Sequence, residues 1–215
     1  MELDNFDGYI FDLDGTLIDS SHAWHRVDDI FLSSYGFETP DDYDREIAGM
    51  GFELAAQYTI DRFNLNRTVN EVINEWNSIV KDIFATEIFL FSGAEKYLRN
   101  LKSKGKKLSV ATVNSVELTV SVLRNNGVLD LFDDITTVAE VTRPKGYPDI
   151  YLKSAEKLGI SPSKCVVFED ILEGIKGARD GAFKTVAVMC KKNIHYRDDM
   201  ISLCDRYITD YNELL

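Results

Sequence analysis

The sequence lacks the features that would place the chain in a membrane or mark it for export. It has no run of about 18 apolar residues, the length that a membrane span requires. The first 15 residues are acidic and have neither the basic flank nor the long apolar stretch of a signal peptide. We therefore expect a cytoplasmic protein with no membrane partner.

Cysteine is scarce and positive charge is in deficit. The three cysteines have no metal-ligand spacing and are odd in number, so they indicate neither a zinc site nor a disulfide framework. The 24 basic and 36 acidic residues give a formal net charge of −12, which repels nucleic acid, and we expect no nucleic-acid partner. The same charge would repel a phosphorylated substrate, so a phosphate site would need a local cation.

Short apolar segments rich in Val, Ile and Phe predict strands that are buried on both faces. They occupy residues 9–13, 108–112, 135–138, 165–168, 185–189 and 207–209. Helical patterns separate the later segments, which predicts an α/β fold with a doubly wound parallel sheet. With 215 residues, the chain is long enough for a core domain and a smaller insert.

Residues 20–88 interrupt this alternation, because their pattern is helical and includes no convincing strand. Within them, Thr68 and Glu71 form a capping box, which signals the start of a helix. We predict that residues 1–19 and 89–215 form a catalytic core and that residues 20–88 form an all-helical cap. An insert at this place is expected over the carboxyl ends of the strands, where open α/β sheets bind ligands.

Two pairs of carboxylates lie at the ends of predicted strands. Asp12 and Asp14 come at the end of the first strand, immediately after apolar residues and at a spacing that directs both side chains to one side. They could form a solvated turn, although two acids at the end of a buried strand repel each other unless a cation or a proton separates them. Glu169 and Asp170 follow a later strand and complete a set of hard oxygen ligands that Mg²⁺ prefers. Asp170 could instead cap the next helix.

Two further clusters suit the binding of phosphate. Thr112 ends a core strand, where a hydroxyl and the free N–H groups of a helix start form an anion site. Plain helix capping is the alternative, with Asn114 and Glu117 opening the helix. Lys145 lies in a loop stiffened by prolines and is either a surface charge or the cation that a phosphate needs; Arg143 is a less suitable substitute. Because all four clusters follow strands at one edge of the sheet, we expect them to converge.

With these motifs, the chain resembles the haloacid dehalogenase superfamily, in the branch of phosphatases similar to β-phosphoglucomutase. Members of this branch have a Rossmann-like core with a helical cap inserted after the first strand. The resemblance covers essentially the whole chain, and the KxxPD form of residues 145–149 is specific to the branch. Asp14 argues against a dehalogenase, whose pattern lacks the second aspartate.

The resemblance implies a Mg²⁺-dependent phosphatase that acts on a small phosphorylated metabolite. Asp12 would be the nucleophile, and Asp14 would protonate the leaving oxygen and then activate water. Mg²⁺ would be held by Asp12, Asp170 and the backbone carbonyl of Asp14, with Glu169 ordering metal-bound water. The residues assigned to the substrate are Thr112 and Lys145, both also catalytic, together with Gly15, Thr16 and Asn114.

The predicted cap departs from the mutase pattern. Trp24 stands where the mutase has a histidine, unless a small shift of the alignment places His22 or His25 there. Ala48 and Phe52 stand where the mutase presents cations. Arg45 and Lys81 are the alternative sources of positive charge in the predicted cap. Hydrolysis is therefore favoured over a sugar-phosphate mutase, and a noncatalytic phosphometabolite binder is disfavoured because every motif residue is present.

The aromatic residues of the predicted cap have two possible roles. They are Trp24, Phe52, Tyr58 and Trp76. They would either line a pocket for the leaving group or form the core of the helical bundle. The sequence leaves the oligomeric state open, and a monomer is compatible with it.

Overall fold

A computed structural model describes residues 3–47 and 50–215 of the chain. The chain divides into two compact units. The core unit comprises Met1–Ser21 and Ile88–Leu215, and the helical insert comprises His22–Glu87. Within the described residues, no helix combines the length and the hydrophobicity that a membrane span requires.

The helical insert is built around aromatic side chains. Its helices are α1 (Ala23–Ser34), α2 (Tyr43–Ile47), α3 (Phe52–Phe63) and α4 (Val69–Thr86). Helix α4 begins at the predicted capping box: the Glu71 carboxylate accepts the backbone N–H of Thr68 at 2.7 Å, and the Thr68 hydroxyl accepts the backbone N–H of Glu71 at 3.3 Å. Helix α1 packs on α4, where the rings of Phe31 and Trp76 lie 5.7 Å apart.

A parallel sheet forms the centre of the core unit. Its strands are β1 (Gly8–Phe11), β2 (Lys107–Thr112), β3 (Asp134–Thr137), β4 (Cys165–Glu169), β5 (Lys184–Val188) and β6 (Arg206–Ile208). The strand order is β3-β2-β1-β4-β5-β6, and all neighbouring strands are parallel. The predicted doubly wound α/β fold is thereby confirmed. The order reverses between β1 and β4, which is where sheets of this kind bind ligands.

Helices cover both faces of the sheet. They are α5 (Ala94–Ser103), α6 (Val116–Asn125), α7 (Asp149–Leu158), α8 (Leu172–Asp180) and α9 (Arg197–Leu203). On one face, Ile10 of β1 packs with Tyr151 of α7. On the other face, Phe168 of β4 contacts Tyr97 of α5, with ring centroids 5.9 Å apart. Successive strand residues point to opposite faces, so a continuous apolar strand requires a layer of helices on each side.

Candidate active site

Asp12 and Asp14 lie at the start of the loop that follows β1. The backbone N–H of Asp12 donates to the carbonyl of Phe168 at 3.0 Å, so the pairing of β1 with β4 continues one residue beyond β1. Asp12 is only 5% exposed, whereas Asp14 is half-buried. The alternative of a solvated turn is therefore wrong for Asp12.

Two hydrogen bonds hold the carboxylate of Asp14. Ser20 Oγ donates to Oδ1 and Asn114 Nδ2 donates to Oδ2, both at 2.5 Å. Burial and then the nearby Asp12 carboxylate raise the pKa of Asp14 to about 6, although the hydrogen bond from Ser20 lowers it. A carboxyl group with such a pKa carries a proton in part of the population near neutral pH and can donate it.

Asp12, Glu169 and Asp170 form a buried cluster of carboxylates. One oxygen atom from each of the three lies within 4.8 Å of the others. They meet because β1 and β4 are parallel neighbours whose carboxyl ends lie at the same edge. Burial raises the pKa of both Glu169 and Asp170, and repulsion from Asp12 adds to the rise. Negative charge on all three carboxyl groups is therefore unfavourable unless a cation or a proton offsets it.

This cluster fits a hard divalent cation such as Mg²⁺. Its donors are carboxylate oxygens, which Mg²⁺ prefers over nitrogen or sulfur ligands. Oε2 of Glu169 is buried and has no hydrogen-bond partner among the described residues. A metal ion held by Asp12 and Asp170, or water bound to it, would engage this unused acceptor. The sequence-based assignment of these residues to a metal stays a prediction that the donor set supports.

Lys145 is buried beside the carboxylates, so the alternative of a solvated surface charge is wrong. Only 6% of its surface is exposed. Its Nζ donates to Oδ1 of Asp12 and, at 2.7 Å, to Oε1 of Glu169. Burial disfavours the charged form, but the two carboxylates outweigh this effect and raise the pKa of Lys145. Lys145 therefore places a buried positive charge beside Asp12 and Glu169, and its assignment to a phosphate stays a prediction.

Arg143 is engaged outside this cluster. Its Nη2 lies 2.6 Å from a carboxylate oxygen of Asp149, and its guanidinium stacks 4.6 Å from the ring of Tyr147. The side chain is about half exposed. Arg143 thus stabilises the start of α7, while Lys145 is the cation beside Asp12.

Thr112 and Asn114 lie at the carboxyl end of β2, and neither of them caps α6. Ser115 caps this helix through its hydroxyl, so the expected helix start from Asn114 with Glu117 is wrong. Thr112 is fully buried, and its hydroxyl accepts the backbone N–H of Asn114 at 3.0 Å. The side chain of Asn114 is free of a capping role and donates to Asp14 instead.

Gly15 and Thr16 contact the carboxylate of Asp170. The φ angle of Gly15 is +80°, a left-handed conformation that favours glycine, and a Cβ at this position would collide with the Asp170 carboxylate. Thr16 Oγ1 lies 3.5 Å from Oδ1 of Asp170, at the limit of a hydrogen bond. Asp170 does not cap α8, because Ile171 is the N-cap residue. The assignment of Gly15 and Thr16 to the substrate stays a prediction.

Other residues of the site carry no distinguishing sequence signal. Tyr151 donates its hydroxyl to Oε1 of Glu169 at 2.7 Å, yet its place in the helical periodicity of α7 predicts only a core residue. Asn193 donates to Oδ2 of Asp170 at 2.9 Å from a segment without a motif. On α8, a Cβ at Gly174 would lie 2.5 Å from Cδ of Glu169, so glycine permits the helix to approach.

In the helical insert, Trp24, Phe52 and Trp76 line a cavity of about 340 Å³. The rings of Trp24 and Phe52 meet edge to face with centroids 5.4 Å apart. Tyr58 has a different role, because its hydroxyl accepts a hydrogen bond from Arg62 at 2.8 Å. Trp76 also packs on Phe31 inside the bundle, so pocket lining and bundle core are both represented among the aromatic residues.

Of the remaining predicted cap positions, the structure describes the two histidines but not Ala48. His25 lies at the surface, where Nδ1 is 2.9 Å from Asp44 and Nε2 is 3.7 Å from Asp29. His22 directly precedes α1. Ala48 lies outside the described residues, so its place as the substitute for a mutase cation stays a prediction.

Comparison with known proteins relates the chain to one family. A sequence profile described as haloacid dehalogenase-like hydrolase matches residues 9–188. The chain is 25% identical over 207 residues to a probable pseudouridine-5'-phosphatase of Drosophila melanogaster. The alignment covers 91% of this chain and 89% of the relative. The chain is also 26% identical over 177 residues to a phosphorylated carbohydrates phosphatase of Thermotoga maritima, and that alignment covers 82% of each chain.

A solved structure shares the fold. The crystal structure of a putative β-phosphoglucomutase from Thermotoga maritima aligns with a TM-score of 0.83 at 23% identity, covering 97% of this chain and 96% of that chain. At this identity the similarity concerns the fold alone. The profile, in contrast, spans most of the chain, from β1 to the end of β5. The chain therefore belongs to the haloacid dehalogenase-like hydrolase family.

Proposed function

We propose that the chain is a Mg²⁺-dependent phosphatase that hydrolyses a small phosphorylated metabolite through an aspartyl-phosphate on Asp12. The convergence of Asp12, Glu169, Asp170 and Lys145 at one edge of the sheet carries the proposal. The family and the two relatives that are named as phosphatases support the reaction class.

In the first step, a carboxylate oxygen of Asp12 forms a bond to phosphorus while the bond from phosphorus to the alcohol oxygen breaks. Lys145 stabilises the negative charge of the phosphoryl oxygens, and Thr112 and Asn114 offer further hydrogen-bond donors. Asp14 gives its proton to the alcohol oxygen as it leaves. Bound Mg²⁺ would offset the charge that the nucleophile and the phosphate bring together.

In the second step, Asp14 is ionised and accepts a proton from water, which attacks phosphorus and releases Asp12. The hydrogen bonds from Ser20 and Asn114 keep this carboxylate in one orientation through both steps. Proton donor and proton acceptor are then the same group. The raised pKa of about 6 suits both roles near neutral pH.

The two predicted domains have different roles in this reaction. Residues 1–19 and 89–215 would perform the chemistry, and residues 20–88 would act as a cap that selects the substrate. A sugar-phosphate mutase is less supported, because it must hold a second phosphate while the helical insert has an excess of acidic residues. A cytoplasmic location agrees with the free thiols of Cys165, Cys190 and Cys204.

Turnover of 4-nitrophenyl phosphate tests the proposal. The wild type with Mg²⁺ should release nitrophenolate and phosphate, and Asp12→Asn should lower the rate by about 10³-fold or more because an amide is no nucleophile. Asp130→Asn makes the same charge change at an exposed position and should retain wild-type turnover. A near-normal rate for Asp12→Asn would mean that Asp12 is not the nucleophile.

A further inference from the structure

The cavity of the helical insert joins aromatic rings to a buried carboxylate. Trp24, Phe52 and Trp76 supply the rings, and Asp28 supplies the carboxylate. None of the described residues that line the cavity is basic. With a volume of about 340 Å³, it has room for a small organic group.

The three rings form a continuous wall. The Trp24 and Phe52 centroids lie 5.4 Å apart, and those of Phe52 and Trp76 lie 6.4 Å apart. Trp24 is nevertheless 47% exposed and Phe52 is 44% exposed, although burial of such rings is favourable. Where the face of such a ring borders a cavity, its negative potential attracts a cation.

Asp28 is buried, and no described residue forms an ion pair or hydrogen bond with its carboxylate. Only 7% of its surface is exposed. Burial raises the pKa of Asp28 to about 7; Asp44 and Asp29 add to the rise, whereas His25 opposes it. An unpaired buried carboxylate is costly, and a bound cation would remove that cost.

The net charge of the helical insert points to a ligand of positive sign. Residues 22–87 include thirteen acidic residues and five basic residues. Two of these basic residues already pair with carboxylates: Arg26 with Glu87 and Arg62 with Asp42. A field of this sign attracts cations and repels a second phosphate.

We propose that this cavity binds an ammonium group, with Asp28 as the counter-ion and Trp24, Phe52 and Trp76 as a cation–π cage. Such cages recognise quaternary and other substituted ammonium groups. The inference rests on the proposed function in one respect, namely that the ammonium group belongs to the alcohol part of the phosphorylated substrate. The substrate class is then a phosphate ester of an amino alcohol.

Binding can be measured directly, because the chain has two tryptophans and both line the cavity. Choline is titrated at about pH 8 while tryptophan emission is recorded, with 3,3-dimethylbutan-1-ol as the neutral analogue of the same shape and sodium chloride as the ionic-strength reference. Choline should change the emission saturably and bind at least about tenfold more tightly than the neutral analogue.

Two variants that remove the same charge test the role of Asp28. Asp28→Asn keeps the size of the side chain and should abolish the preference for choline. Asp82→Asn lies at an exposed position of α4 outside the cavity lining and should keep the preference. Equal binding of choline and its analogue would identify an apolar pocket and overturn the proposal. Equal loss of the preference in both variants, or no response to choline, would also overturn it.

Turnover of matched phosphate esters tests the amino-alcohol substrate separately from the phosphatase activity. Choline phosphate should be hydrolysed at least about tenfold faster, in kcat/KM, than the phosphate ester of 3,3-dimethylbutan-1-ol, and Asp28→Asn should bring the ratio close to one. Hydrolysis of 4-nitrophenyl phosphate with no preference between the two esters would refute the amino-alcohol substrate and leave the phosphatase standing. If none of these esters is hydrolysed, the proposed function fails, whereas the choline titration still decides the ammonium site.

Discussion

Two aspartates of one loop, Asp12 and Asp14, have different surroundings. Asp12 is buried and forms an ion pair with the ammonium group of Lys145. Asp14 is half-buried, and its neighbours Ser20 and Asn114 are neutral. Two carboxyl groups whose environments differ in this way are suited to different tasks, one as nucleophile and the other as proton donor.

Asp14→Asn should separate the two steps of the reaction. With an alkyl phosphate, turnover is expected to fall by about 10²–10⁴-fold, because the amide gives no proton to the leaving oxygen. Nitrophenolate leaves without protonation, so the variant should still form phosphoenzyme from 4-nitrophenyl phosphate and release a single burst. Rapid quenching and intact-protein mass spectrometry would detect the added phosphoryl group. Unchanged turnover of the alkyl phosphate would exclude Asp14 as the acid.

In the absence of ligand, the Asp28→Asn variant is expected to be more stable than the wild type at alkaline pH. The pKa of Asp28 is about 7 in the folded state, above its ordinary value of 3.8, so stability falls as pH rises through this range. The variant removes this loss and should gain about 1–3 kcal/mol in the free energy of unfolding at about pH 8, with little gain near pH 4. Urea unfolding at both pH values measures the difference.

Asp82→Asn is the control for that experiment, because it makes the same substitution at an exposed site. Its stability should track that of the wild type at both pH values. A gain for Asp28→Asn that does not grow between about pH 4 and pH 8 would contradict the burial of an ionisable Asp28 as its cause.

At the scale of the element, the loop after β1 depends on one backbone conformation. Gly15 and Gly105 both have positive φ angles, +80° and +73°. A Cβ at Gly15 would collide with Asp170, whereas a Cβ at Gly105 would meet nothing within 4 Å. Substitutions at the two glycines therefore distinguish backbone strain from displacement of the Asp170 carboxylate.

Gly15→Ala and Gly105→Ala should each lose about 1–2 kcal/mol of stability from the left-handed backbone. Only Gly15→Ala should also lower kcat/KM, by about tenfold or more, and raise the Mg²⁺ concentration needed for half-maximal activity. Thermal unfolding and metal titration of both variants measure these effects. Equal activity of the Gly15→Ala and Gly105→Ala variants would indicate that the loop accommodates a Cβ without moving Asp170.

At the scale of the whole molecule, an excess of negative charge has to coexist with an anionic substrate. Mg²⁺ should raise the melting temperature as well as permit turnover, since binding to the folded state stabilises it, and Asp170→Asn should lose both effects. Ca²⁺ should support little turnover, because it takes about 6–8 ligands at longer distances and would draw extra carboxylate oxygens away from attack. Full activity in excess chelator would contradict a metal requirement.

The charge of the helical insert also bears on the reaction class. A buried phosphate dianion without cationic partners costs several kcal/mol, on the order of the penalty for burying an ion. Given β-glucose 1-phosphate with glucose 1,6-bisphosphate as primer, the protein should release inorganic phosphate or do nothing. An enzymatic assay for glucose 6-phosphate detects the mutase reaction. Rapid formation of glucose 6-phosphate would identify a mutase.

The arrangement of the core followed from the sequence to within a residue or two at most strand ends. Strands buried on both faces must be apolar, so β1 and β4 are recognisable in the sequence. The first polar residues after each apolar stretch mark the strand end to within a residue. For this reason Asp12, Glu169 and Asp170 were recognisable as neighbours before any contact was known. Charge balance singled out Lys145 as the cation for a phosphate, and this assignment stays a prediction.

The sequence by itself thus determined the sheet, its order of polar clusters and the family, because these depend on local periodicity and on residues close together in the chain. Only the tertiary structure decided that Tyr151 and Asn193 orient the carboxylates and that Ser115, not Asn114, caps α6. It also decided that Asp28 lies buried among aromatic rings. Such roles depend on which groups from distant segments meet in space, and no spacing along the chain encodes that meeting.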